Sequence, residues 1–110
     1  MITQIIYLKD YDWLIKVFYE ATADDADLIL NELDKIDCDP IPFYKLADQL
    51  DEDRPNEGFT YSDSFLRITF IVISRTSNAA EFQNTIDHEK GHAATYIATA
   101  LNIDLESEDF

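Results

Sequence analysis

The stretch from Ser77 to Ile103, SNAAEFQNTIDHEKGHAATYIATALNI, constrains the fold more than any other part of the chain. Alanines are dense in it, and Phe82, Ile86, Ala93, Ile97 and Leu101 recur at helical spacing, which predicts one long helix with a single apolar stripe. Asn78 followed by Glu81 has the pattern of a capping box at its start, and Asn102 can close its end. Directly before it, SFLRITFIVIS sets Leu66, Ile68, Phe70 and Val72 against Phe65, Arg67, Thr69, Ile71 and Ile73. That alternation predicts a strand buried on at least one face and placed at or near the centre of a sheet. A long one-sided helix needs such a sheet to cover its stripe.

The rest of the chain supplies the other elements. TQIIYL and WLIKVFYEA are rich in β-branched and aromatic residues and are separated by KDYD, which predicts two strands in a hairpin-like arrangement. In the second, Trp13, Ile15, Val17 and Tyr19 share a face opposite Lys16 and Glu20. TADDADLILNELDKID offers Thr22 or Asp24 as a cap and Ala26, Ile29, Leu30, Leu33 and Ile36 as a buried stripe. PIPFYKLADQL predicts a shorter helix begun at its prolines, and LDEDRPNEGFTYSD, Leu50 to Asp63, reads as a long loop. The expected order is strand, strand, helix, helix, strand, helix: an α+β fold with a small three-stranded sheet, a long C-terminal helix and two further helices, forming one domain over residues 1–110.

Charge and composition exclude several function classes. There are 23 Asp and Glu against 8 Lys and Arg, a formal charge of −15, which repels nucleic-acid backbones and anionic membrane surfaces. No stretch approaches the roughly 20 apolar residues of a bilayer span, and the N-terminus lacks a basic segment followed by an apolar run. With Cys38 the only cysteine, no internal disulfide is possible. The expectation is a soluble, unprocessed cytoplasmic protein with neither nucleic-acid nor membrane partners.

Chemistry concentrates in His88-Glu89-Lys90-Gly91-His92, an H-E-x-x-H pattern. Helix positions four apart lie one turn above each other, so His88 and His92 can aim an imidazole nitrogen at one point and occupy two corners of a zinc tetrahedron. Glu89, about 100° round the helix, can act as the base that takes a proton from a water at an open coordination position. These are the chain's only two histidines; random placement would give this pattern on the order of once in a thousand chains. A third protein ligand to Zn2+, one ion per chain, would have to be a carboxylate, because Cys38 suits a small buried hydrophobe better than a ligand. IDLESEDF supplies Asp104, Glu106, Glu108 and Asp109. The helix runs about 13 Å past His92, at 1.5 Å per residue. A chain doubling back reaches about 16 Å by Glu106 and about 23 Å by Glu108, so Glu108 is preferred, Glu106 is second, and a solvated acidic tail is the alternative to both.

Around the motif, Asn84 can line the site or stand as an exposed helix polar residue. Asp87 can orient a ligand imidazole or be a surface charge. Tyr96 reads as a core aromatic, with oxyanion stabilisation as its other role. Gly91, costly in a helix, suggests a close approach by backbone, substrate or a neighbouring strand. Lys90 is expected to reach solvent from the edge of the stripe.

The run from Arg67 to Phe110 resembles the small H-E-x-x-H proteins of bacterial phages and integrated mobile elements, described as zinc peptidases of minimal gluzincin type. The resemblance rests on the strand Ile68 to Ile73, the lead-in SNAAEFQNT, His88-Glu89 with His92, and the C-terminal SED, with NEGFTYSD and YDWLIKVFY adding to it. It implies a zincin-like core, His88, His92 and Glu108 as zinc ligands, Glu89 as catalytic base, and a peptide or protein substrate. Lys90 departs from the family's usually apolar residue there. Two rival expectations stand beside a metallopeptidase: a non-enzymatic acidic interaction or inhibitor protein of a phage or mobile element, and a catalytically inactive zincin fold.

Overall fold

The computed structural model describes residues 1–102. The chain folds in the order β1 (Ile2–Leu8), β2 (Trp13–Ala21), α1 (Ala26–Lys35), α2 (Pro40–Asp51), β3 (Gly58–Asp63), β4 (Ile68–Ser74) and α3 (Ala79–Leu101). β1 and β2 form the expected hairpin, antiparallel from Ile2 opposite Tyr19 to Leu8 opposite Trp13. β2 pairs parallel to β4, and β3 pairs antiparallel to β4, giving the strand order β1-β2-β4-β3.

The architecture is α+β, but the sheet has four strands where three are expected. The additional strand is β3, inside the segment read as a loop. Its own alternation is regular: Phe59 and Tyr61 pack towards the core around α1 and α2, while Gly58, Thr60 and Ser62 point to the opposite face. That opposite face carries only small or polar side chains, and Asp51 to Asn56 before it is dense in turn formers, so the apolar signal of a strand is weak.

Helices cover both faces of the sheet. On one, Phe18, Phe70, Val72 and Phe59 pack with Ile29 and Leu33 of α1 and Leu46 and Leu50 of α2. On the other, Val17, Ile71 and Ile73 pack with Ile86 and Ala93 of α3. β4 lies between β2 and β3 and is buried on both sides, which accounts for its nearly continuous apolar run. Local signals set most of the helix ends. Thr22, one of the two expected caps, opens a short 3-10 turn before α1, where Asp25 and not Asp24 accepts from the Thr22 backbone N–H at 2.9 Å. Pro40 opens α2, Asn78 Oδ1 accepts from the Glu81 N–H at 2.9 Å, and Asn102 ends α3 in the left-handed conformation. An ion pair of 2.7 Å between Lys16 and Glu32 ties α1 to β2.

A polar relay crosses three strands on the α3 side. Trp13, fully buried, donates from Nε1 to Thr69 Oγ1 at 2.9 Å, and Thr69 Oγ1 shares a hydrogen bond of 2.7 Å with Ser62 Oγ. Thr69→Val keeps the shape and the β-propensity but leaves the indole N–H unpaired. It is expected to destabilise the fold by about 1–3 kcal/mol, measured as a lowered urea midpoint; an unchanged midpoint would contradict the relay's role.

Candidate metal centre

α3 buries Ile86, Ala93 and Ile97 against the sheet, and the same face carries the buried Thr85 and Glu89. His88 and His92 flank this face as exposed side chains. Their Nε2 atoms lie 3.0 Å apart, with the rings at 86° to each other. Two nitrogens of a tetrahedral zinc site, each about 2.0–2.1 Å from the ion, stand about 3.3 Å apart. The imidazoles are therefore already convergent on one point, as the helical spacing predicts. Without an ion, a proton held by one Nε2 can be donated to the other.

Glu89 is the least expected feature. The motif assigns it a role as base without predicting its burial, and it is only 5% exposed. Thr60 Oγ1 donates to its Oε1 at 2.7 Å and lies 3.3 Å from its carbonyl oxygen, so β3 holds the side chain of this residue. Oε2 lies 3.9 Å from His88 Nε2. Gly58 makes the burial possible: a Cβ there would stand 2.6 Å from both Cγ and Oε2 of Glu89. The requirement for glycine is steric, since neither glycine of the chain has positive φ.

The three motif residues line a cleft of about 420 Å³. β3 contributes Thr60 and Ser62 to it, and α2 contributes Pro42 and Lys45. Tyr96 lines it as well; it is 40% exposed and meets Trp13 edge-on at 6.3 Å, so it is a cleft aromatic and not the core residue expected. Asn84 borders a neighbouring hollow shared with His88 and Glu89. Asp87 is exposed and accepts a hydrogen bond from Gln83 Nε2 at 2.8 Å, as a surface charge does. Lys90 is exposed at the rim of an apolar hollow bordered by Ile86 and Ile97, in keeping with its expected reach to solvent. Cys38 is partly buried against the core, and that burial raises its thiol pKa, which suits a hydrophobe better than a thiolate ligand.

Glu108 and Glu106, the expected third ligands, lie outside the described residues, as do Asp104 and Asp109. Among the described residues no group of three or more His, Cys, Asp or Glu side chains is gathered for a metal. The donor set on α3 fits zinc in type and convergence as a two-imidazole half-site.

Sequence reading missed Gly58, Thr60, Ser62 and Lys45 as cleft residues. The available signal was the two-residue period of Gly58, Thr60 and Ser62 against Phe59 and Tyr61. Gly91 was expected to mark a close approach, but an added Cβ there would meet nothing within 4 Å among the described residues. No helix among the described residues is long and apolar enough to cross a membrane. Comparison with family models, with curated proteins and with solved structures found no match to this chain.

The two glycines should therefore respond in opposite directions. Gly91→Ala is expected to raise stability by about 1 kcal/mol, the helix-propensity difference. Gly58→Ala, which forces Glu89 from its place, should lower stability by about 1–3 kcal/mol. Urea denaturation of the two variants checks this, and a shift of the same sign in both would refute it.

Proposed function

We propose that this chain is a small cytoplasmic zinc protein with a zincin-like core that hydrolyses a peptide amide. The observation that carries the reading is the convergence of His88 Nε2 and His92 Nε2 at 3.0 Å, with Glu89 Oε2 at 3.9 Å from the first of them. His88 and His92 would hold the zinc, with Glu108 as the third ligand. Bound zinc supplies Lewis acidity, lowering the pKa of water and polarising a carbonyl.

The chain's own groups do the rest. Thr60 occupies Glu89 Oε1, which leaves Oε2, on the His88 side, as the oxygen free to take a proton from water. The water oxygen bonds to the amide carbon, the C–N bond breaks, and the proton passes from Glu89 to the leaving nitrogen. The near-complete burial of Glu89 limits competing solvent at that oxygen, and its clamp on β3 fixes its position before substrate arrives. β3 is the outermost strand on its side of the sheet, which supports a substrate lying extended beside it. α2 supplies the facing wall through Pro42 and Lys45.

Glu89→Gln keeps the side chain's shape and removes the base. The zinc-loaded variant is expected to retain its metal but cleave a peptide library at least about a hundredfold more slowly than the parent chain, read by mass spectrometry of the products. Equal cleavage by both, or no cleavage by the parent, would overturn the peptidase reading; zinc held without cleavage would instead indicate the inactive fold.

A further inference from the structure

We propose that Lys45 makes one end of the cleft a carboxylate-recognising subsite, so that the cleft takes short peptides by their free C-terminal carboxylate. The inference rests on the hydrolase reading above and names the substrate class for the same site. It begins with charge. In a chain of −15, Lys16 pairs with Glu32 at 2.7 Å, Arg54 with Glu52 at 3.0 Å and Arg75 with Asp53 at 3.5 Å. Lys45 makes no such pair among the described residues, although it is one of only 8 Lys and Arg facing 23 acids. Lys9, Lys35, Arg67 and Lys90 also lack an ion pair there, but none of them lines this cleft. Lys45 is the one Lys or Arg among the described residues that does.

Its surroundings suit an anion that also needs a hydrogen bond. Tyr96 lines the same cleft, and its hydroxyl has no hydrogen bond among the described residues, so it is a second donor available to a carboxylate. Ser62, by contrast, is engaged with Thr69. The overall negative field of the protein opposes an anionic ligand, so a carboxylate can be held only where a local cation outweighs it. Beside the two imidazoles and any ion they hold, the one Lys or Arg lining this cleft among the described residues is Lys45. Size narrows the choice further: about 420 Å³ is near the low end of small-ligand sites, which run from about 300 to 1,000 Å³, and suits a chain end better than a folded segment.

The test is an NMR titration of the full chain, freed of metal by a chelator, with an acetylated alanine tripeptide, its C-terminal amide, and an amidated analogue carrying one glutamate. The free acid is expected to bind about tenfold more tightly than the amide. Lys45→Met should abolish that preference, and Lys45→Arg should retain it. Equal binding of acid and amide, absence of binding by both, or a preference that survives in Lys45→Met overturns the proposal. Binding of the glutamate analogue as tight as that of the free acid overturns the assignment to the C-terminus. Because zinc is absent from the titration, loss of the preference in a chain that takes up zinc stoichiometrically would leave the metal reading standing. A preference kept by a chain that takes up no zinc would sink that reading alone.

Discussion

A carboxylate withdrawn from water is costly unless other groups replace its hydration, and Glu89 is withdrawn almost completely between α3 and β3. Two residues of β3 make this possible in complementary ways. Thr60 supplies a donor at 2.7 Å, and Gly58 leaves the space that any larger residue would fill. Both depend on β3 pairing with β4 in the observed register, which sets Gly58 opposite Ile73 and Thr60 opposite Ile71. Those β4 residues are on the face that packs against α3. A register slip of one residue would turn Phe59 and Tyr61 towards Glu89 and leave the acid without either partner. The cleft is thus fixed by strand pairing more than by the helix that carries its motif.

The same arrangement gives the two oxygens of Glu89 different work. Oε1 is held by the sheet, while Oε2 remains on the side of the imidazoles. A base used in hydrolysis needs one oxygen free and a position that does not change between free and bound states. In the proposed hydrolysis, anchoring Oε1 to Thr60 Oγ1 at 2.7 Å would serve both needs. His88 and His92, by contrast, stand exposed at the mouth, open to an ion and to substrate.

Much of the fold was legible because it rests on local periodicity. The hairpin of β1 and β2, the stripe of α1, the prolines opening α2 and the asparagines bounding α3 are each signalled within a few residues of where they act. The helical spacing of His88 and His92 likewise places their nitrogens together without help from the rest of the chain. What escaped was tertiary. Nothing local signals that Glu89 is buried, because Thr60, 29 residues earlier, is what is brought against it. β3 looks like a loop because its α3-side face is built of Gly58, Thr60 and Ser62, the small and polar residues that a buried acid needs opposite it. Tyr96 reads as core from its type, but Trp13 fills the buried position and leaves the tyrosine ring at the cleft. Gly91 reads as a contact point from its helix cost, yet its surroundings are open.

The two convergent imidazoles, Nε2 to Nε2 at 3.0 Å, carry the proposal that this chain holds a metal ion. Zinc competition titration against a chromophoric chelator, on the full chain and on His88→Ala and His92→Ala, decides it. One zinc per chain with sub-micromolar affinity, weakened at least about a hundredfold by either substitution, is the expected result. Binding that is absent in the parent chain, or unchanged when either histidine is removed, would contradict it.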